Sequence, residues 1–140
     1  MLEKQLQNKV KRILNKHRIS YIKIAGGEFQ RSGIADLLIF NHFHSYALEL
    51  KSDFHKSKPK ALQVLQASHY ASNLIYLFAD LHNIDFILNK IITNQWQILK
   101  HYSNKQIEYW KQYWKNKEIK QRKRDEATLS ISKGSNQGSK

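Results

Sequence analysis

The stretch GGEFQRSGIADLLIFNHFHSYALELKSDFHKSKPKALQ, running from Gly26 to Gln63, decides how the whole chain is read. Ala35 to Phe40 and Tyr46 to Lys51 are short apolar runs. The NHFHS between them makes a tight connection, so the pair predicts a β-hairpin. Asp36 opens the first of these strands after a glycine-bearing loop. Glu49 and Lys51 lie two apart on the second, and strand alternation puts both side chains on one face. Leu48 and Leu50 then face the opposite way, into the core. Burying charge without a partner is costly, so a carboxylate and an amine inside so apolar a strand are unusual. Beside Asp36 across the hairpin they form a cluster of two carboxylates and one ammonium.

Working outward, Leu2, Leu6, Val10, Ile13 and Leu14 follow helical spacing and predict a helix over about 2–17. SYIKIAG alternates and is β-branched, a strand ending at Gly26-Gly27. After the hairpin, SDFHKSKPK is a polar, basic loop holding the only proline. Leu62, Leu65, Gln66 and Tyr70 predict a helix over about 60–73, Leu74 to Ala79 a buried strand, and 81–93 a further helix. The order α-β-β-β-α-β-α predicts an α/β unit with helices flanking one small mixed sheet. Residues 1–99 read as the core domain. Residues 100–125 read as a basic helix whose Ile107, Trp110, Tyr113 and Trp114 share a face, either packed on the core or serving as a DNA or dimer arm. Residues 126–140, ending SISKGSNQGSK, read as a disordered tail.

Composition narrows the partners. The chain has 140 residues, 24 Lys and Arg against 11 Asp and Glu, a formal net charge of +13 and no cysteine. That balance points to a polyanion, nucleic acid first. The missing cysteine excludes disulfide scaffolds, Cys-based zinc fingers and thiol catalysis. The charge is uneven: residues 1–99 carry 13 basic and 7 acidic side chains, a net of +6, whereas residues 100–140 alone hold +7. No apolar run approaches the ~20 residues that span a bilayer, and the charged N-terminus lacks a secretory h-region. The expectation is an intracellular, cytoplasmic protein, not a membrane protein.

Two carboxylates are hard oxygen ligands suited to Mg²⁺ or Mn²⁺, and a nearby lysine can hold an attacking water or neutralise charge on phosphorus. That set hydrolyses a phosphodiester without a covalent intermediate. The same spacing also fits an ordinary solvent-facing ion pair in a hairpin, since such pairs are common and weak. His42 and His44 alternate in the connection, but two imidazoles without a third ligand make ordinary exposed histidines. No Walker-type phosphate loop is present.

Asp36 with Glu49-Leu50-Lys51 resembles the PD-(D/E)XK nuclease signature. GGEFQRSGIADLLIF followed by ALELKSDFHKSKPKALQ is similar to its VRR-NUC branch, the small stand-alone phage and viral type, over roughly residues 1–80. The chain departs from that pattern at Ala35, where the family usually has proline. The resemblance implies a restriction-endonuclease-like core and metal ligation by Asp36 and Glu49, with the Leu50 carbonyl and Glu3 joining them. Glu3 reads equally as an acid favoured at a helix N-terminus. It implies Lys51 as the catalytic lysine and Gln63 as the helix glutamine that orients lysine or water, with Gln66 one turn away. Gln30, Arg31 and Ser32 in the loop, and His55, Lys56, Lys58 and Lys60 after the E-x-K strand, are candidate DNA contacts, as are Lys120, Arg122, Lys123 and Arg124. The function implied is a Mg²⁺- or Mn²⁺-dependent endonuclease, a homodimer suited to four-way junctions or other branched DNA. Its rivals are a non-catalytic nucleic-acid-binding module and, for the basic helix, a membrane-surface role.

Overall fold

The computed structural model describes residues 1–24 and 35–138. Its elements are α1 (Glu3–Lys16), β1 (Ser20–Lys23), β2 (Leu37–Asn41), β3 (His44–Leu50), α2 (Ala61–Tyr70), β4 (Ile75–Ala79), α3 (Ile84–Ile92) and α4 (Trp96–Gly138). The strands form one mixed sheet in the order β1-β2-β3-β4. β1 to β3 are an antiparallel meander, and β4 runs parallel to β3 after the α2 crossover. This is the α/β architecture that the periodicity predicts.

Both faces of the sheet are covered. Leu6, Val10 and Leu14 repeat every four residues, so α1 lays one apolar stripe on the sheet. That layer also holds Leu48, Leu50, Leu77 and the α3 residues Ile84, Ile87, Leu88 and Ile91. On the other face, Ala47, Tyr76 and Phe78 meet Val64 and Ala67 of α2 and Ile107 and Trp110 of α4. Because that second layer exists, Glu49 does not face solvent: it is 3 % exposed. An exposed hairpin ion pair is thereby excluded.

The hairpin turns on two residues, His42 and Phe43, both at positive φ (49° and 67°), a combination that matches the twist of the flanking strands. His44 belongs to β3 and stacks on Trp96, with ring centroids 4.4 Å apart.

α4 guards the open edge of β4. The Gln106 side chain acts as a short extra strand: its Oε1 accepts the Phe78 N–H at 3.0 Å and its Nε2 donates to the Phe78 carbonyl at 2.7 Å. Ser103 Oγ donates to the Tyr76 carbonyl. An edge saturated in this way cannot template pairing with another chain. The α4 aromatic face packs on the core, with Trp114 Nε1 donating to the Pro59 carbonyl at 3.0 Å.

The C-terminal boundaries differ from those read in the sequence. Neither 99/100 nor 125/126 ends an element, because α4 is continuous from Trp96 and residues 126–138, expected as a disordered tail, prolong it. Once a helix is nucleated on the core, each added residue forms one bond for one residue fixed, so it can extend without burying a face. Residues 115–132 are exposed throughout. Among the described residues no helix is long and apolar enough to cross a membrane.

Candidate functional site

The start of β2 and the end of β3 lie at the same end of the sheet, because the two strands are antiparallel neighbours with Leu37 opposite Leu48. Asp36 sits just before β2. Its backbone N–H donates to the Leu48 carbonyl at 3.0 Å, and its Oδ2 accepts the Leu50 N–H at 2.7 Å. The carboxylate is therefore fixed against the strand that carries Glu49. Lys51 follows β3 directly, and its N–H donates to the Ala79 carbonyl of β4 at 3.0 Å.

Gln63, in the first turn of α2, reaches the same place. Its Oε1 accepts the Lys60 N–H at 2.8 Å, which leaves its Nε2 to donate to Glu49 Oε1 at 2.7 Å. The amide orientation is thus set from both ends, and α2 holds Glu49 through residue 63, not residue 66. The other oxygen, Glu49 Oε2, is buried with no hydrogen-bond partner among the described residues. A buried carboxylate oxygen left unpaired is costly, and such an atom calls for a proton or a cation.

The electrostatics agree. Burial first, then the charge of Asp36, push Glu49 up to about 8, with Lys51 opposing and Glu3 adding to the rise. Asp36 is also raised, by burial, against the opposing pull of the Leu50 N–H, Lys51 and Lys23. Glu3, in the first turn of α1, is raised by partial burial and by Asp36, and lowered by Lys51. Glu3, Asp36, Glu49 and Lys51 therefore feel one another. Three acids outnumber the one ammonium in this group, and the excess of negative charge favours a bound cation.

These shifts predict a pH dependence of stability. A carboxyl whose pKa rises on folding stabilises the fold fully below its unfolded value, 4.5 for Glu49, and loses that contribution as pH rises through about 8. In chelator, the melting temperature is expected to fall over that window by the equivalent of up to a few kcal/mol, at about 1.4 kcal/mol per pKa unit. Glu49→Gln keeps the Gln63 contact and should flatten the profile. Parallel wild-type and variant slopes in a thermal-melt series would show that Glu49 is not the titrating group.

Of the remaining candidates, Gln30, Arg31 and Ser32 lie outside the described residues. His55, Lys56 and Lys60 are exposed on the loop between β3 and α2. Lys58 is not free for phosphate in the same way, since its Nζ donates to the Phe54 and His55 carbonyls at 2.7 and 3.0 Å. Lys120, Lys123 and Arg124 are exposed along α4, where Arg122 pairs with Glu118. One cation escaped the sequence reading. Lys23 pairs with Leu37 across β1 and β2, and its charge reaches Asp36. The register that aligns it was the missing signal. Comparison with protein-family models, with curated proteins and with solved structures found no match in any of the three.

Proposed function

We propose that this chain is a divalent-metal-dependent DNA endonuclease with a restriction-endonuclease-like core, of the PD-(D/E)XK kind and its VRR-NUC branch. The observation that carries the reading is the state of Glu49: one oxygen is held by Gln63, the other is buried without a partner among the described residues, and two further acids share its field. Such a donor set fits a hard divalent cation. Asp36 and Glu49 would hold Mg²⁺ or Mn²⁺, with the Leu50 carbonyl and Glu3 as further ligands. When bound, the ion polarises a phosphoryl oxygen and lowers the pKa of water.

The protein's own groups supply the rest. The Lys51 ammonium, the cation among these acids, steadies the attacking water and offsets charge growing on phosphorus. Gln63 fixes the Glu49 carboxylate so that it is in place before substrate arrives. The net charge of +13 draws a polyanion to the site. The substrate is branched DNA, and the working form is a homodimer whose two sites, related by a twofold axis, cut two strands.

The test is incubation of the protein with supercoiled plasmid and with a synthetic four-way junction in Mg²⁺, Mn²⁺ or chelator. The expected result is metal-dependent cutting, faster on the junction. Tight DNA binding with no cleavage in either metal would replace this reading with a non-catalytic binding module. Gln63→Ala should slow turnover by roughly 10²-fold, the scale of a misplaced reacting group, while leaving DNA affinity nearly unchanged. Gln66→Ala should be silent, and the reverse pattern would overturn the role given to Gln63.

A further inference from the structure

A different cluster lies just past Lys51. Asp53, His55 and His82 each bring one ligand atom to a place where all three atoms lie within 4.8 Å of one another. Asp53 and His55 come from the loop after β3, and His82 from the turn between β4 and α3. The His82 Nε2 stands 3.5 Å from Asp53 Oδ1, and the two imidazoles meet edge to face with centroids 5.3 Å apart. Two ligands bonded at ~2.0–2.1 Å to a tetrahedral Zn²⁺ are themselves separated by roughly 3.3 Å, close to the spacing of the His82–Asp53 pair.

We propose that Asp53, His55 and His82 form a second metal site, for a borderline divalent transition ion of the Zn²⁺ class. Two imidazoles and one carboxylate select such an ion over Mg²⁺, which prefers oxygen ligands throughout. Three protein ligands leave further coordination positions open to water or to an incoming anion.

The backbone that carries the ligands is arranged ahead of binding. Asp80, 4 % exposed, clamps both segments: its Oδ2 accepts the Phe54 N–H and its Oδ1 accepts the His82 N–H, each at 2.9 Å. Leu81 N–H donates to the Ser52 carbonyl at 3.4 Å, tying the segments again. Asp53 is itself oriented by the His55 N–H, 2.8 Å from its Oδ1, and its Oδ2 makes none of these bonds. A bound ion would brace the basic loop against the β4–α3 turn beside Lys51, so the site acts on the loop that carries Lys56 and Lys60.

The test does not depend on nuclease activity. The full chain carrying Asp36→Asn and Glu49→Gln, which removes the acids of the other cluster, is titrated with Co²⁺ and followed by visible d–d absorption and by calorimetry. The expected result is one equivalent bound, displaced by Zn²⁺ and not by Mg²⁺. Adding His82→Ala should weaken binding by about 100-fold or more, since even loss of an outer hydrogen-bond partner costs 10–100-fold. Asp53→Asn and His55→Ala should do the same, while His42→Ala changes nothing. His82 is half exposed, so its replacement leaves the metal-free melting temperature in place. Absence of saturable Co²⁺ binding overturns the proposal. So does binding that His82→Ala and His55→Ala leave intact. Neither result touches the Asp36–Glu49 reading, whose failure would show instead as intact cleavage in its own variants.

Discussion

Asp36→Asn and Glu49→Gln are each expected to lower metal-dependent DNA cleavage by on the order of 10³-fold or more, the rate equivalent of about 4 kcal/mol of lost transition-state stabilisation. The substitutions are chosen to keep the local structure. Asparagine retains an oxygen to accept the Leu50 N–H, and glutamine retains one to accept the Gln63 amide. What each removes is negative charge at a point where three acids converge. Folding and DNA affinity should therefore survive, and circular dichroism and mobility shift would show it. Lys51→Ala should cost roughly 10²–10³-fold, the usual loss for one positioned electrostatic group. Near-wild-type cutting by Lys51→Ala would remove the lysine from the mechanism. The same outcome for both acid variants would remove the site.

Lys51 and Glu49 are not equivalent in burial, and this separates the expected phenotypes. Glu49 is closed inside the second core layer, whereas Lys51 is only partly buried beyond the end of β3. Replacing Glu49 with glutamine also removes the charge that burial penalises, so the inactive variant should be the more stable one at alkaline pH. A variant that loses activity while gaining stability is what a site held in tension with the fold produces.

The elements carried by local periodicity were legible in the sequence. Leu6, Val10 and Leu14 announce α1, and the alternation of Leu48 and Leu50 around Glu49 places the acid on its own face of β3. Asp36, Glu49 and Lys51 were legible as a group because they fall on one hairpin, whereas Gln63 entered only through the family resemblance, with Gln66 left open beside it. The burial of Glu49 was not legible, since it depends on α4 folding back over the sheet with Ile107 and Trp110. Lys23 depends on a strand register that no single segment encodes. The Asp53–His55–His82 grouping spans two segments joined by a buried aspartate, so of its three residues only His55 stood out in the sequence, as a candidate DNA contact. The end of α4 was misread because small polar residues and glycines usually stop helices, while this one continues through them to Gly138.

Deleting the chain after residue 119 is expected to change DNA affinity more than any single surface substitution. Trp114 is the last α4 residue that touches the core, and residues 115–132 are exposed along the helix. The truncation therefore spares Ile107, Trp110 and Trp114 and should leave the fold intact. It removes Lys120, Arg122, Lys123 and Arg124, of which Arg122 is paired with Glu118 in the free protein. A helix advances ~1.5 Å per residue, so a free-standing α4 can carry these charges well away from the sheet and along a second segment of a duplex. If all four neutralise phosphates, the slope of log affinity against log salt should become shallower by roughly 3.6, at about 0.9 per contact. Between 50 and 200 mM salt, the affinity gap between full-length and truncated protein should then close by about 10²-fold. Cleavage by the truncated protein should fall at physiological salt and recover at low salt, because Asp36, Glu49 and Lys51 are untouched. If Arg122 stays with Glu118 in the complex, the slope changes by three contacts instead of four, and Glu118→Ala should restore the fourth. An unchanged slope would mean that the arm is only solvated and that the core supplies every phosphate contact.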